Sequence, residues 1–157
     1  MSTSDEGKGD EGKGRRSDMA SDLERLLRLW REPPGDGPAA EAAFREVYAD
    51  PVRVNGAELP VAALVERARA LHRAYQGIEM DLVDRVETPD RLVIGFWMRA
   101  RHVGPLETPL GTVQPTSRAI EARTTDILTL RDGLITDIWV VSDELGVLLQ
   151  LGALRLA

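Results

Sequence analysis

RAIEARTTDILTLRDGLITDIWVVSDELGVLLQLG, residues 118–152, is the stretch on which the fold turns. Its first half alternates with the period of a strand. Ile120, Ala122, Thr124, Asp126, Leu128 and Leu130 share one face, and Glu121, Arg123, Thr125, Ile127 and Thr129 share the other. Arg131-Asp132-Gly133 supplies a tight turn into a second strand. A short amphipathic helix follows, with Ser142 or Asp143 as its cap and Leu145, Leu148 and Leu149 as its apolar residues. One member of the apolar face is out of place. Asp126 stands between Thr124 and Leu128, where the pattern calls for an aliphatic residue, and an ionised carboxylate there loses hydration that only a partner can replace. Such a partner could be Arg99, Arg101, Arg123 or a backbone N–H, which would make Asp126 structural; without one it is a candidate working group.

Upstream lie two more strands, residues 78–87 and 91–103, joined by the turn Thr88-Pro89-Asp90. The second places Ile94, Phe96, Met98, Ala100 and His102 on one face and Val93, Gly95, Trp97, Arg99 and Arg101 on the other. Residues 104–117 hold three prolines and two glycines and read as a long loop that could flank a site. Before the strands, spacing predicts three helices. Ser21 and Glu24 form a capping box ahead of a stripe of Leu23, Leu26, Leu27 and Trp30, extended upstream by Met19. The run Pro33-Pro34-Gly35-Asp36-Gly37-Pro38 ends that helix and opens a second, with Ala40, Phe44, Val47 and Tyr48 on one side. A short strand and turn fall at 50–56. The third helix begins near Pro60, with Val61, Leu64, Val65, Ala68, Leu71, His72 and Tyr75 as its stripe and Gly77 as its C-cap. His72 reads as a hydrogen-bonded packing residue. Trp97 and Trp139 fall on the outer side of the strands. Helices segregated from a four-strand meander predict an α+β fold.

The ends and the composition narrow the class. Asp5-Glu6-Gly7-Lys8-Gly9 is repeated as Asp10-Glu11-Gly12-Lys13-Gly14, and residues 1–16 predict a disordered tail ahead of a single domain over 17–157. The repeat's glycines lack the spacing of a phosphate-binding loop. A formal net charge of −6 argues against a nucleic-acid partner. No apolar run approaches a membrane span and the N-terminus is charged, so a cytoplasmic protein is expected. The sequence has no Cys and two separated histidines, His72 and His102, which leaves neither a thiol nucleophile nor the makings of a metal site.

Arg101-His102-Val103-Gly104, Pro115-Thr116-Ser117-Arg118, Arg131-Asp132-Gly133-Leu134-Ile135, Asp143 and Leu149-Gln150-Leu151-Gly152, in that order and spacing, resemble the SnoaL-like polyketide cyclases. That family shares a cone-shaped fold with nuclear transport factor two, ketosteroid isomerase and limonene epoxide hydrolase. The resemblance spans about residues 20–152 and implies a curved antiparallel sheet wrapped around the N-terminal helices, with an internal pocket. It also implies a homodimer through the outer sheet face. On it, Phe96, Met98, Ala100, His102, Thr124, Asp126, Leu128, Ile138 and Val140 face the pocket, in agreement with the alternation. Asp126 resembles a pocket histidine of the cyclases, the oxyanion-binding aspartic acid of the isomerase and a catalytic aspartate of the epoxide hydrolase. The departures are as informative. The cyclases' catalytic aspartate and the hydrolase's second aspartate fall on Val140, and the hydrolase's arginine on Thr124. The isomerase's base falls near Asn55 or Gly56, and its tyrosine near Leu26.

The resulting expectation is a cofactor-independent cyclase or isomerase acting on a hydrophobic, polyketide-like small molecule. Asp126 and His102 are its candidate catalytic residues, and Trp30, Phe96, Met98, Thr124, Leu128, Ile138 and Val140 its substrate-binding ones. A carboxyl in an apolar pocket has its pKa raised by desolvation, so it can donate a hydrogen bond when neutral or take a proton when ionised. Altered chemistry, such as hydroxylation or epoxide opening, or a non-catalytic small-molecule-binding or dimerisation module of the same fold, are the alternatives.

Overall fold

The computed structural model describes residues 22–154. The expected tail at 1–16, Met19 and the Ser21 cap lie outside the described residues. Helix α1 runs over residues 22–31, with Leu23, Leu26 and Leu27 buried as the stripe requires. Helix α2 (Gly37–Arg45), strand β1 (Tyr48–Val54), strand β2 (Ala57–Leu59) and helix α3 (Val61–Ala74) follow. Then come β3 (Tyr75–Thr88), β4 (Arg91–His102), the short β5 (Leu106–Thr108) and β6 (Gly111–Val113), β7 (Ala119–Arg131), β8 (Leu134–Ser142) and α4 (Glu144–Gln150). Among the described residues no helix is long and apolar enough to cross a membrane.

Six strands form one sheet in the order β2-β1-β8-β7-β4-β3. All its pairings are antiparallel except β1 with β8, which is parallel. The β7–β8 hairpin closes through Asp132 and Gly133, whose φ angles of 51° and 79° are those of the two-residue turn that matches strand twist. Its register sets Asp126 opposite Val140 on one side and Ile94 on the other. Side chains of the inner sheet face, including Ile94, Phe96, Leu128 and Ile138, pack with α1, α2 and α3 into the main core. A second core gathers Tyr75, Ile78, Ala100, Ile120, Ala122, Val147 and Leu151 at the other end of the long strands, where α4 seats. Asp143 caps α4 by accepting the Gly146 N–H at 2.9 Å.

Three local expectations are corrected. Tyr48 does not extend the second helix. That helix stops at Arg45 and Tyr48 opens β1, because Val47 and Tyr48 find β8 as a neighbour, the Val47 carbonyl accepting the Ile135 N–H at 2.9 Å. Gly77 is not a helix cap. The chain is already extended at Tyr75, and Gly77, with φ of 64°, lies where the β3–β4 register shifts between Gln76 and Glu79, the place of a bulge. The segment 104–117 is not wholly loop, since β5 and β6 form a two-stranded hairpin of their own.

Candidate active site

Between α1, α3 and the inner sheet face lies a cavity of about 320 Å³. Its apolar lining follows from strand alternation: β4 contributes Ile94, Phe96 and Met98, β7 contributes Leu128, and β8 contributes Ile138 and Val140. Trp30 closes it from α1, and Arg67 on α3 brings an exposed guanidinium to its wall. The seven expected binding residues, Trp30, Phe96, Met98, Thr124, Leu128, Ile138 and Val140, all line this one cavity, and Asp126 lies among them.

The Asp126 carboxyl is largely withdrawn from water, and its Oδ1 is buried with no hydrogen-bond partner among the described residues. Burial pushes its pKa up to about 6. The three guanidiniums that could have neutralised it are engaged elsewhere. Arg99 pairs with Glu121 at 2.6 Å and with Asp81, Arg101 donates to the Ser117 carbonyl at 2.7 Å, and Arg123 pairs with Asp143 at 2.9 Å. Among the described residues, therefore, no cation pairs with the Asp126 carboxyl in its largely apolar hollow. With its pKa at about 6, both protonation states are populated close to neutral pH.

Tyr48 completes the polar set. Its ring is buried, and its hydroxyl accepts the Trp30 Nε1–H at 2.8 Å. That bond orients the phenol and leaves its own proton available to another acceptor. Desolvation raises the phenol above its ordinary range, so it stays a donor at neutral pH. Trp30 is held in turn: His72 donates through Nε2 to its backbone carbonyl at 3.0 Å, and its ring meets the Phe44 edge with centroids 5.8 Å apart. Opposite, the Thr124 and Ser142 hydroxyls hydrogen-bond each other at 3.1 Å. Sequence reasoning missed Tyr48 because it fell at helical spacing behind Phe44; Pro51 and the β-branched Val52 and Val54 downstream were the available signal that a strand had begun.

His102, the other candidate catalytic residue, is not brought to Asp126. Asp126 faces Ile94 on β4, and His102 lies about eight residues further along that strand, roughly 25 Å away at strand rise. Same-face alternation is blind to such distance. His102 is instead fully buried in the second core, its Nδ1 3.0 Å from the Thr116 hydroxyl and its ring 5.7 Å from Tyr75. Ala100, also expected on the pocket face, lies in that second core as well. Trp139 is exposed on the outer sheet face, and Trp97 carries the Arg123 guanidinium 6.0 Å from its ring centre. Among the described residues no three His, Cys, Asp or Glu side chains converge as metal ligands.

The comparisons agree with this architecture. A family model described as SnoaL-like polyketide cyclase matches residues 24–151. No curated protein matches the sequence. Among solved structures, TsrD from Streptomyces laurentii superposes with a TM-score of 0.75 at 23% identity, covering 88% of this chain and 98% of its own. IdmH from Streptomyces antibioticus gives 0.66 at 19% identity, covering 85% and 97%. A SnoaL-like polyketide cyclase from Agrobacterium tumefaciens gives 0.66 at 15% identity, covering 83% and 94%. At these identities the likeness is one of fold, the cone.

Proposed function

Because the chain belongs to the SnoaL-like polyketide cyclase family, we propose that it is a cofactor-independent cyclase or isomerase of a carbonyl-rich, mostly apolar metabolite. The carrying observation is Asp126, an unpaired carboxyl with its pKa pushed to about 6 inside an apolar cavity. At neutral pH the carboxylate takes a proton from a carbon next to a substrate carbonyl, and the C–H electron pair moves into an enolate. Tyr48 donates its hydrogen bond to the oxygen on which that charge develops. Where a β,γ double bond extends the enolate into a dienolate, the γ-carbon takes the proton back from Asp126 and the double bond moves into conjugation with the carbonyl, giving an isomer. Alternatively the enolate attacks a second carbonyl of the same chain, closing a ring, and the new alkoxide takes the proton. Val140 stands where the family carries its catalytic aspartate, so Tyr48 is the second polar participant in this reading. The cavity wall of Trp30, Phe96, Met98, Leu128 and Ile138 holds the carbon skeleton, and His102 has no part in the chemistry.

The test is proton exchange on a simple carbonyl compound. 2-Tetralone in D₂O is expected to lose its α-proton NMR signal faster with the wild-type protein than without. Asp126→Asn should slow that catalysed exchange by about 10²–10⁴-fold, with the thermal midpoint at neutral pH not lowered. Equal exchange by wild type and Asp126→Asn ends the reading. Val140 favours one rival, a binding module that has lost its chemistry; tight 2-tetralone binding by both proteins with no catalysed exchange by either would establish it. We also place a second copy of the chain against the outer sheet face, where Val93, Ile127 and Trp139 are neighbours across three strands.

A further inference from the structure

A second hollow of about 440 Å³ lies between the β5–β6 hairpin and α4. Leu71, Met98 and Ser142 line both it and the Asp126 cavity, so the two adjoin at these residues. Met98, unbranched and flexible, is the most readily displaced of the three. Among the described residues the hairpin pairs with no other strand; Leu106 and Val113 anchor its base to the second core. Its tip residue Leu110 is 75% exposed, and Leu145 on the facing side of α4 is 61% exposed. Both line the hollow, so two large aliphatic side chains stand uncovered around a concavity that adjoins the Asp126 cavity. The charged residues lining it are Glu107 and Glu144, with no cation among the described lining residues, which disfavours an anionic occupant.

We propose that this hollow is a second subsite of the same binding site. It takes the uncharged apolar tail of an elongated molecule whose carbonyl-bearing end lies beside Asp126. The inference rests on the reading of the Asp126 cavity given above and adds a substrate class to it: a linear or partly cyclised molecule too long for the first cavity. Displacement of Met98 joins the two chambers, and the β5–β6 hairpin forms the roof over the tail.

The probe is a series of methyl ketones from 2-hexanone to 2-dodecanone, titrated calorimetrically into the full chain. Each methylene withdrawn from water contributes roughly a fourfold gain in affinity. Wild type is expected to bind 2-dodecanone more than about a hundredfold tighter than 2-hexanone. Leu110→Glu and Leu145→Glu, both at exposed positions that spare the fold, should each reduce that ratio about tenfold or more, with unchanged thermal midpoints. A series that levels off at the short ketones overturns the inference, as does the same ratio in both variants and wild type, or no binding of any ketone. If the length dependence holds while Asp126→Asn exchanges 2-tetralone as wild type does, the catalytic reading falls and the elongated site stands. A levelled series with exchange abolished in Asp126→Asn gives the reverse.

Discussion

Between pH 4 and pH 7 the Asp126 carboxyl passes from neutral to charged without leaving its apolar surroundings, and the fold bears the difference. Its folded-state pKa of about 6 stands above the unfolded value of 3.8. The folded state therefore holds the extra proton between those values, and stability falls as pH rises from about 4 through 6. Below that window the group is neutral in both states and contributes nothing; above it the penalty is constant, about 3 kcal/mol at most. Asp126→Asn should thus raise the thermal midpoint at pH 8 and leave it nearly unchanged at pH 4, as measured by calorimetry. Wild-type exchange activity should follow the opposite limb, rising through about pH 6 to a plateau as the carboxylate forms. Tyr48→Phe removes the donor and also strands the Trp30 indole N–H. A loss of about 1–3 kcal/mol in denaturant titration is expected, with exchange slowed about 10²-fold. Asp126 was legible in the sequence because a charge interrupting an alternating face has no packing explanation. Tyr48 was not, because a tyrosine three or four residues from other apolar positions satisfies a helix stripe equally well.

Elements were read most securely where a period persists. The alternation of β4 and β7 over a dozen residues left little freedom, and Asp132-Gly133 located the hairpin turn. Strands of three residues such as β5 and β6 hold too few side chains to display a period, so proline and glycine dominated that segment. Helix ends were set by what the next residues pair with, which spacing within the helix does not record; Tyr48 and Tyr75 both left their helices for a strand. Gly104 shows an element-level constraint of another kind. A Cβ there would collide with the Arg73 carbonyl oxygen, where the end of α3 meets the end of β4. The carbonyl group is backbone and cannot turn aside, so Gly104→Ala should destabilise by about 1–3 kcal/mol or more in a chemical denaturation curve.

For the molecule as a whole, the outer sheet face poses the question of association. Trp139 is 56% exposed and Val141 72% exposed, beside Ile127 on the neighbouring strand. An uncovered apolar strip on the convex side is what a second copy would cover. Trp139→Glu with Val141→Glu should halve the mass found by light scattering while the circular dichroism spectrum stays the same; an unaltered mass refutes the interface. The α+β class and the cone followed from segment order and family resemblance. The strand order did not, because the parallel seam of β1 with β8 joins segments far apart in sequence, and local patterns do not register such partners. That seam bears on how the protein comes into being. Asn55 hydrogen-bonds the backbone of Val140 across 85 positions of chain, so a nascent polypeptide leaving the ribosome must hold β1 with β2 alone until β8 has been synthesised. The chamber around Asp126 closes among the last events of biogenesis, and premature termination before β8 leaves helices facing an unfinished wall.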